Sequence, residues 1–268
     1  MILPLLIAAV LFVTIPGQAA AQASATPDPR DAQPERPTVA THAFTVSRGY
    51  FELETGFQRQ SVGAFSNYLA MPLLLKVGLC SRVQLDIAPG WRRNADNGKA
   101  MSGLTDMVVG VKWRVADEMP LLGTFAIQTT AALPTGSTEA GTGAGVAALN
   151  LLAISSHTIG PVALDINLGY TRRGGDGSVA PKSEALWTVS AGFPVYGKLG
   201  MAAEIFGLPG TGGPAGSPPV VAFLTGPTYI LTRSLVIDAG AIVNIAGFGN
   251  TAVYGGLTWN FGTPFLRK

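Results

Sequence analysis

The sequence predicts an all-β fold: a single-chain transmembrane antiparallel β-barrel of about twelve strands. Three observations predict it. Apolar and polar residues alternate with period two, the connectors alternate between short and long, and after the N-terminus no apolar run is long enough for a membrane-spanning helix. A signal peptide and a disordered lead-in are expected to precede the barrel.

The alternation is clearest between Arg82 and Val115. From Val83 to Trp91 the apolar residues share one face, while Gln84 and Asp86 lie on the other. Successive side chains point to opposite faces of a strand, so this segment has one apolar face and one face with charges in mid-strand. The pattern favours a β-hairpin in a wall with lipid outside and water inside.

Ten further strands are expected along the chain. The predicted ranges are about 49–60, 67–77, 123–133, within 146–155, 162–170, 183–193, 198–207, 220–231, 235–245 and 251–261. The second is apolar on both faces, and the strand within 146–155 alternates weakly. With the hairpin, the total is an even number, as in single-chain bacterial barrels.

The connectors support the barrel independently. Tight turns are predicted at 78–81, 194–197 and 231–234, and long loops rich in Gly and Pro or charged residues at 92–103, 134–145, 172–182 and 207–219. Outer-membrane barrels have short periplasmic turns and longer outer loops. Both termini are therefore predicted to lie on the periplasmic side.

The N-terminal region predicts export. An apolar run over 1–13 precedes a series of small residues, which indicates a signal peptide over 1–23 with cleavage after Ala21 or Ala23. Residues 24–48, rich in Pro and charged residues, are predicted to be a disordered periplasmic lead-in. The barrel is expected over 49–262 and a C-terminal tail over 263–268. The predicted location is the outer membrane of a Gram-negative bacterium.

The composition argues against several classes of function. The net charge is +2 and no basic run is present, so no nucleic-acid partner is predicted. A single cysteine, Cys80, allows no internal disulfide and no cysteine-built metal site, and two histidines are too few for a histidine-built one. No metal and no cofactor are predicted.

Catalysis is the least favoured function. Lipid hydrolases of the outer membrane need a serine activated by a histidine. His42 lies in the predicted lead-in, and the adjacent side chains of Ser156 and His157 are not expected to point at each other. His157 is interpreted as an exposed turn histidine, and the protein is predicted not to be an enzyme.

The inward-facing polar residues are the candidate site. Two interpretations stay open: these residues pair with one another and brace the lumen, or some of them line a constriction that filters solutes. Both charge signs are present, so no strong ion selectivity is predicted. The lumen-lining candidates are Glu52, Glu54, Arg82, Asp86, Arg92, Asp106, Lys112, Arg114, Asp165, Asn167, Lys198, Glu204, Asp238 and Asn244.

Aromatic residues on the outward face predict a girdle at the membrane interfaces. These residues are Trp91, Trp113, Tyr170, Trp187, Trp259 and Phe261.

Short motifs in order along the chain resemble a known family. The triplet Glu35-Arg36-Pro37, the pair Thr45-Val46 with Gly49, and the strand Glu52 to Gly56 are similar to the opening of the outer-membrane meta-pathway phenol-degradation transporters. The strand GLTDMVVGVKWRV, the Leu133–Gly136 motif LPTG, Asp238-Ala239-Gly240 and the closing Gly256–Phe261 also fit. The resemblance implies a porin-like protein that transports aromatic hydrocarbons, and it carries over no catalytic residues.

The expected function is therefore passive passage of small, hydrophobic or aromatic solutes across the outer membrane. The alternative is a closed structural barrel that acts as an envelope scaffold or a partner-binding surface. The predicted partners are outer-membrane lipid, the barrel assembly machinery and a small aromatic solute, and the sequence does not specify an oligomeric state.

Overall fold

The computed structural model describes residues 28–62, 66–96, 99–247 and 251–262. Within these ranges the regular secondary structure consists of β-strands. No helix in the described part of the chain is long and apolar enough to cross a membrane. The predicted signal peptide and C-terminal tail fall outside the described residues.

Fourteen strand segments follow one another along the chain. Their bounds are β1 (Phe51–Val62), β2 (Ser66–Cys80), β3 (Val83–Ala88), β4 (Gly90–Asp96), β5 (Lys99–Leu104), β6 (Met107–Met119), β7 (Gly123–Leu133), β8 (Ala148–Ile159), β9 (Val162–Arg173), β10 (Ser183–Tyr196), β11 (Leu199–Leu208), β12 (Val220–Thr232), β13 (Leu235–Gly247) and β14 (Thr251–Asn260).

These segments form twelve strands of the barrel. Segments β3 and β4 are separated by Pro89, which has no N–H to donate, and both pair with β2. Segments β5 and β6 are interrupted at Thr105 and Asp106, and they pair with β4 and β3 respectively. The predicted number of strands is confirmed.

The sheet closes because the first and last strands pair. Strand β1 is antiparallel to both β2 and β14, with Leu53 opposite Trp259 and Gly56 opposite Gly256. Closure gives the backbone groups of the outer strands hydrogen-bond partners, which a sheet surrounded by lipid requires.

The two ends of the barrel differ in their connections. At one end, here called the short-turn end, tight connections join β2 to β3, β6 to β7, β8 to β9, β10 to β11 and β12 to β13. The long-loop end carries the connections 134–147, 174–182 and 209–219. The predicted loop over 92–103 is wrong, since β4 and β5 occupy most of it. Its polar composition suggested a loop, but strands that extend past the lipid are polar on both faces.

The segment before β1, residues 28–50, lies inside the barrel and is here called the N-terminal segment. It starts at the short-turn end, where the Ala32 N–H donates to the Arg233 carbonyl, and returns there to pair with Gly78. Ala40, Ala43 and Val46 are almost fully buried. The prediction of disorder is therefore wrong for residues 28–48. Their polar, Pro-rich sequence builds no core of its own, but the barrel wall supplies partners for its backbone.

A small apolar core lies against the N-terminal segment within the lumen. Ala43 packs with Ala126, Leu152 and Ile154, and Leu186 lies against this group. Ile154 has no exposed surface. The inner wall is therefore not uniformly polar, which explains the weak alternation in the strand that contains Leu152 and Ile154.

Candidate functional site: the occluded lumen

Carboxylates of the barrel wall bind backbone N–H groups of the N-terminal segment. Glu204 on β11 accepts the N–H groups of Val39 and Ala40, both at 2.7 Å. Glu52 and Glu54 on β1 accept the N–H groups of residues 33 and 35, at 2.6 and 2.8 Å. These contacts satisfy backbone N–H groups that are withdrawn from water, so they fix the path of the segment.

Between Ala40 and β1, neutral side chains of the wall bind the backbone of the N-terminal segment in the same way. Asn167 on β9 accepts the Thr41 N–H at 2.8 Å and donates to the Thr41 carbonyl at 2.9 Å. Ser156 and Gln84 accept the next two contacts, from the N–H groups of residues 43 and 46. Ser156 and Gln84 were not among the sequence candidates, since their short or uncharged side chains carried no signal of a site.

A buried charge cluster lies under the first half of the segment. Lys76 on β2 contacts Glu52 at 2.5 Å and Glu54 at 2.6 Å, and Lys112 on β6 is paired with Glu35 of the segment. Both lysines have no exposed side-chain surface. Burial alone would raise the pKa of Glu35, but Lys112 and Lys76 hold it below its usual range. The carboxylate is therefore charged in the lumen.

Lys76 and Glu35 were missed by the sequence analysis. Lys76 lies near the end of the apolar run MPLLLKV, in which neither face was recognised as polar, and Glu35, noted only as part of a family motif, lies in the region predicted to be disordered. The lysine within that run was the available signal of an inward-facing ion pair, because a buried charge requires a partner.

Arg36 binds the opposite side of the lumen. Its Nε and Nη2 atoms donate to the two carboxylate oxygens of Asp238 on β13, each at 3.2 Å. The guanidinium lies over glycines of β1 and β14: a Cβ added to Gly56 would lie 3.0 Å from Nη2, and one added to Gly256 would lie 2.7 Å from Nε. The glycines leave the space that the side chain fills.

His42 is buried at the centre of this arrangement. Its Nε2 lies 3.3 Å from the Gln33 carbonyl, and its own carbonyl accepts a hydrogen bond from Lys112. Burial and the nearby Lys112 lower the pKa of His42 to about 3. The ring is therefore neutral at physiological pH.

Three further candidates also reach the lumen side of the wall. Asp86 accepts hydrogen bonds from Gln84 and Gln128, both at 2.7 Å. Asp165 accepts the Ser156 hydroxyl at 2.5 Å, and the Arg92 guanidinium lies 4.9 Å from the centre of the Tyr68 ring.

The remaining candidates lie toward the ends of the barrel. At the short-turn end Arg82 and Arg114 both pair with Asp117, and Lys198 donates to the Leu231 carbonyl. At the long-loop end Asn244 donates to a neighbouring carbonyl. Asp106, at the interruption between β5 and β6, accepts N–H groups at positions 136 and 144 of the 134–147 loop.

A cavity of about 130 Å³ lies between the N-terminal segment and the inner wall of β9–β13. Its wall carries small or aliphatic residues at inward positions, including Ala163, Gly192, Ala202 and Val236. A Cβ added to Gly192 would have no atom within 4 Å. The cavity wall is therefore largely apolar, although it includes polar residues such as Asp165, and it lies beside a segment otherwise held by polar contacts.

Five of the six predicted aromatic girdle residues lie toward one end of the barrel or the other. Trp113, Trp259 and Phe261 lie toward the short-turn end and are 43 to 52% exposed, and Trp259 and Phe261 have ring centroids 5.2 Å apart. Tyr170 and Trp187 lie toward the long-loop end. Trp91 lies in mid-strand beside the interruption at Pro89, away from either end.

The side chain of His157 contacts Ser155 and not Ser156. Both lie on the outward face of β8, with Nε2 of His157 2.9 Å from the Ser155 hydroxyl. That hydroxyl donates to the Leu122 carbonyl at 2.7 Å, so its proton points away from the imidazole. Activation of a serine needs the reverse arrangement, in which the histidine accepts the proton.

No cluster of three or more potential metal-binding side chains occurs among the residues the structure describes. The lumen contacts are hydrogen bonds and ion pairs, suited to holding a peptide segment and to forming a restricted passage.

The fold and the occluded lumen together define a closed, twelve-stranded antiparallel barrel of the type found in outer-membrane proteins. The chain is similar in fold to the COG4313 outer membrane channel from Pseudomonas putida F1, with a TM-score of 0.63 and 12% identity over 82% of this chain and 98% of that one. It is also similar to the translocator domain of the autotransporter NalP from Neisseria meningitidis, with a TM-score of 0.50 and 11% identity over 80% and 89% of the two chains. No family model and no curated protein match the sequence.

Proposed function

We propose that this protein is an outer-membrane channel for the passive passage of small hydrophobic solutes, with single-ring aromatic compounds as the substrate class. The outward face of its strands carries exposed Leu, Ile, Val and aromatic side chains, as a lipid-facing wall requires. The short-turn end then faces the periplasm and the long loops face the exterior.

The apolar cavity beside the N-terminal segment is the observation that carries this proposal. Its volume of about 130 Å³ is close to that of an engineered apolar protein cavity of about 150 Å³ that binds benzene. Ala163, Gly192 and Ala202 leave space at three positions of its wall, and Ile230 and Val236 add aliphatic surface. The cavity is therefore large enough for a single aromatic ring, whereas a barrel that serves only as a scaffold requires no such space.

Further apolar side chains lie toward the long-loop end. Leu186, Phe206 and Leu224 occupy inward positions on β10, β11 and β12, and the polar residues Ser190 and Glu204 separate Leu186 and Phe206 from the cavity. The 134–147 loop packs on the other side of the lumen, where the Asn94 side chain donates to the carbonyls of residues 140 and 141. The side of β9–β13 thus carries apolar side chains along the lumen, interrupted by Ser190 and Glu204.

Two comparisons support the proposal. The motifs beginning at Glu35-Arg36-Pro37 resemble the meta-pathway phenol-degradation transporters, a family to which transport of aromatic hydrocarbons is ascribed. The solved structure from Pseudomonas putida F1 is described as an outer membrane channel.

Uptake into liposomes tests the proposal. The refolded protein is expected to conduct ions in a planar bilayer, to show reduced current when phenol or toluene is added, and to carry a radiolabelled aromatic into liposomes. Gly192→Leu places a side chain in the cavity, where its Cβ would have no atom within 4 Å, and should abolish both aromatic effects. Gly212→Leu, a matched change in the 209–219 loop with equally open surroundings, should leave both intact. Equal uptake by the two variants would contradict the proposal.

A closed structural barrel is the second candidate, because the N-terminal segment fills the part of the lumen next to the short turns. This alternative predicts neither ion current nor aromatic uptake from the wild-type protein. The bilayer and liposome measurements therefore separate the two functions.

A further inference from the structure

Two adjacent residues bind the barrel differently from the rest of the N-terminal segment. Elsewhere inside the lumen the wall mostly recognises backbone N–H groups, which almost any sequence offers. Glu35 and Arg36 also use charged side chains, and these reach opposite sides: Glu35 pairs with Lys112 on β6, and Arg36 with Asp238 on β13. The charged residues of the Glu-Arg-Pro triplet therefore span the lumen.

The site that holds Arg36 is built for a guanidinium group and is here called the Arg36 seat. It consists of Asp238, Gly56 and Gly256. The carboxylate accepts two parallel N–H bonds, a geometry that the planar fork of Arg provides and the ammonium of Lys does not. The Arg36 side chain is 17% exposed and that of Asp238 is 3% exposed, so the ion pair is largely withdrawn from water.

Glycines continue beside the seat on the inner wall. Gly226 on β12 and Gly240 on β13 lie under the ring of Tyr254, whose hydroxyl would be 2.8 Å from a Cβ added to Gly226. Arg36 also borders the 130 Å³ cavity. The side chains of Arg36 and Tyr254 thus fill a wall groove that the glycines would otherwise leave open.

We propose that Arg36 is a latch: seated on Asp238, Gly56 and Gly256, its guanidinium narrows the route between the cavity and the long-loop end of the lumen. When Arg36 leaves the seat, the glycine-lined groove opens and the ion current rises. This inference concerns ion flow in the absence of any solute, and it stands independently of the substrate class proposed above.

Single-channel conductance of Arg36→Ala in a planar bilayer tests the latch. Removal of the side chain empties the groove, so the conductance should rise by about twofold or more over wild type, as expected when a constriction widens. Arg30→Ala is the matched control: Arg30 lies in the same segment and pairs with Asp28, but its side chain is 61% exposed. This control should conduct as wild type does.

Guanidinium ion provides a second readout that a merely structural role of Arg36 would not produce. Millimolar guanidinium chloride should occupy the empty seat and return the Arg36→Ala current toward the wild-type level, whereas sodium chloride at equal ionic strength should not. The double variant Arg36→Ala, Asp238→Asn lacks the carboxylate partner, and guanidinium should leave its current unchanged.

Two conservative variants keep the test decisive if Arg36→Ala fails to fold. Arg36→Lys retains the charge without the planar fork, and Asp238→Asn retains the shape without the charge, so both should conduct more than wild type. Heat-modifiable migration in detergent gels checks that each barrel is folded. Folded Arg36→Lys and Asp238→Asn barrels with wild-type conductance would overturn the proposal, as would a guanidinium response that persists without Asp238.

Discussion

Asn167 and Thr41 form a reciprocal pair in which the side-chain amide binds both the N–H and the carbonyl of the same residue. The pair imitates one step of a β-ladder, although the N-terminal segment adds no strand to the sheet. Asn167 is 1% exposed and Thr41 is 7% exposed. The wall thereby supplies hydrogen-bond partners for the buried N–H and carbonyl groups of Thr41 where no strand of the sheet pairs with them.

Replacement of Asn167 by Ala should loosen this part of the segment. Two buried backbone groups of Thr41 would lose their partner, at a cost of about 1–3 kcal/mol per unsatisfied group. Hydrogen exchange at residues 39–43 should become measurably faster. Asn244→Ala, near the long-loop end, serves as the control and should leave that exchange unchanged; equal exchange in both variants would argue against a holding role for Asn167.

Acid should weaken the binding of the N-terminal segment through His42. Its pKa is about 3 in the lumen, compared with about 6.5 when the ring is exposed to solvent. The released segment therefore binds more protons between these values, so the stability of the docked state falls as pH drops from about 6.5 toward 3, by roughly 1.4 kcal/mol per pH unit at most. Above that window this contribution is constant.

Limited proteolysis of the segment at pH 7 and pH 4.5 measures the effect. Cleavage by a protease active at both values should be faster at pH 4.5, after correction for the protease's own rate. His42→Gln removes the titrating group and should reduce the difference. Because the folded pKa of Glu35 lies below its usual range, Glu35 remains charged across most of this window. A pH difference that is unchanged in His42→Gln would assign the effect to another group.

Deletion of residues 28–47 should produce a cation-selective pore. Among the described strand residues, the buried charged side chains are five carboxylates, Glu52, Glu54, Asp86, Glu204 and Asp238, and two amines, Lys76 and Lys112. Without Glu35, Arg36 and the backbone N–H groups, the carboxylates would face water in excess. The reversal potential in a potassium chloride gradient should therefore shift toward the potassium value. Glu52→Gln with Glu54→Gln in the same deletion should diminish that shift, and anion selectivity would contradict the reasoning.

The inward apolar core predicts a stability difference between two isoleucines. Ile154 has no exposed surface and packs against Ala43, whereas Ile166 is 36% exposed on the outward face. Ile154→Ala should destabilise the folded barrel by about 2–5 kcal/mol, as for other large-to-small core changes. Ile166→Ala should cost less, and urea unfolding in lipid vesicles would measure both. Equal losses would mean that the inner cluster contributes no more than the lipid-facing side chain.

Period-two alternation was sufficient to predict most of the barrel. The strand over Gly123–Leu133 agrees with its prediction at both bounds, because its apolar and polar faces separate cleanly. Most of β4 and β5 was missed because these segments extend beyond the apolar part of the wall, where Arg93 and Ser102 face outward and remove the contrast. Alternation reports the boundary between lipid and water, and it loses information where both faces meet water.

The contents of the lumen could be predicted only in part. Glu52, Asp86, Lys112 and Glu204 stood out as charges within apolar strands, and the structure places them in the interior. Their partners could not be identified, since the N-terminal segment binds largely through its backbone and the backbone is the same in every sequence. Arg36 was visible as part of a motif, but nothing in the sequence indicated that two distant glycines lie beneath it.

The Arg36 seat has a consequence for assembly of the barrel. Gly56 belongs to the first strand and Gly256 to the last, and the two become neighbours only when these strands pair. Before β1 and β14 pair, only one of these two glycines can lie beneath the guanidinium. A nascent chain therefore acquires the complete seat only after its final strand has paired with the first. Arg36 docks fully only in a closed barrel, and the groove stays open until the barrel has closed.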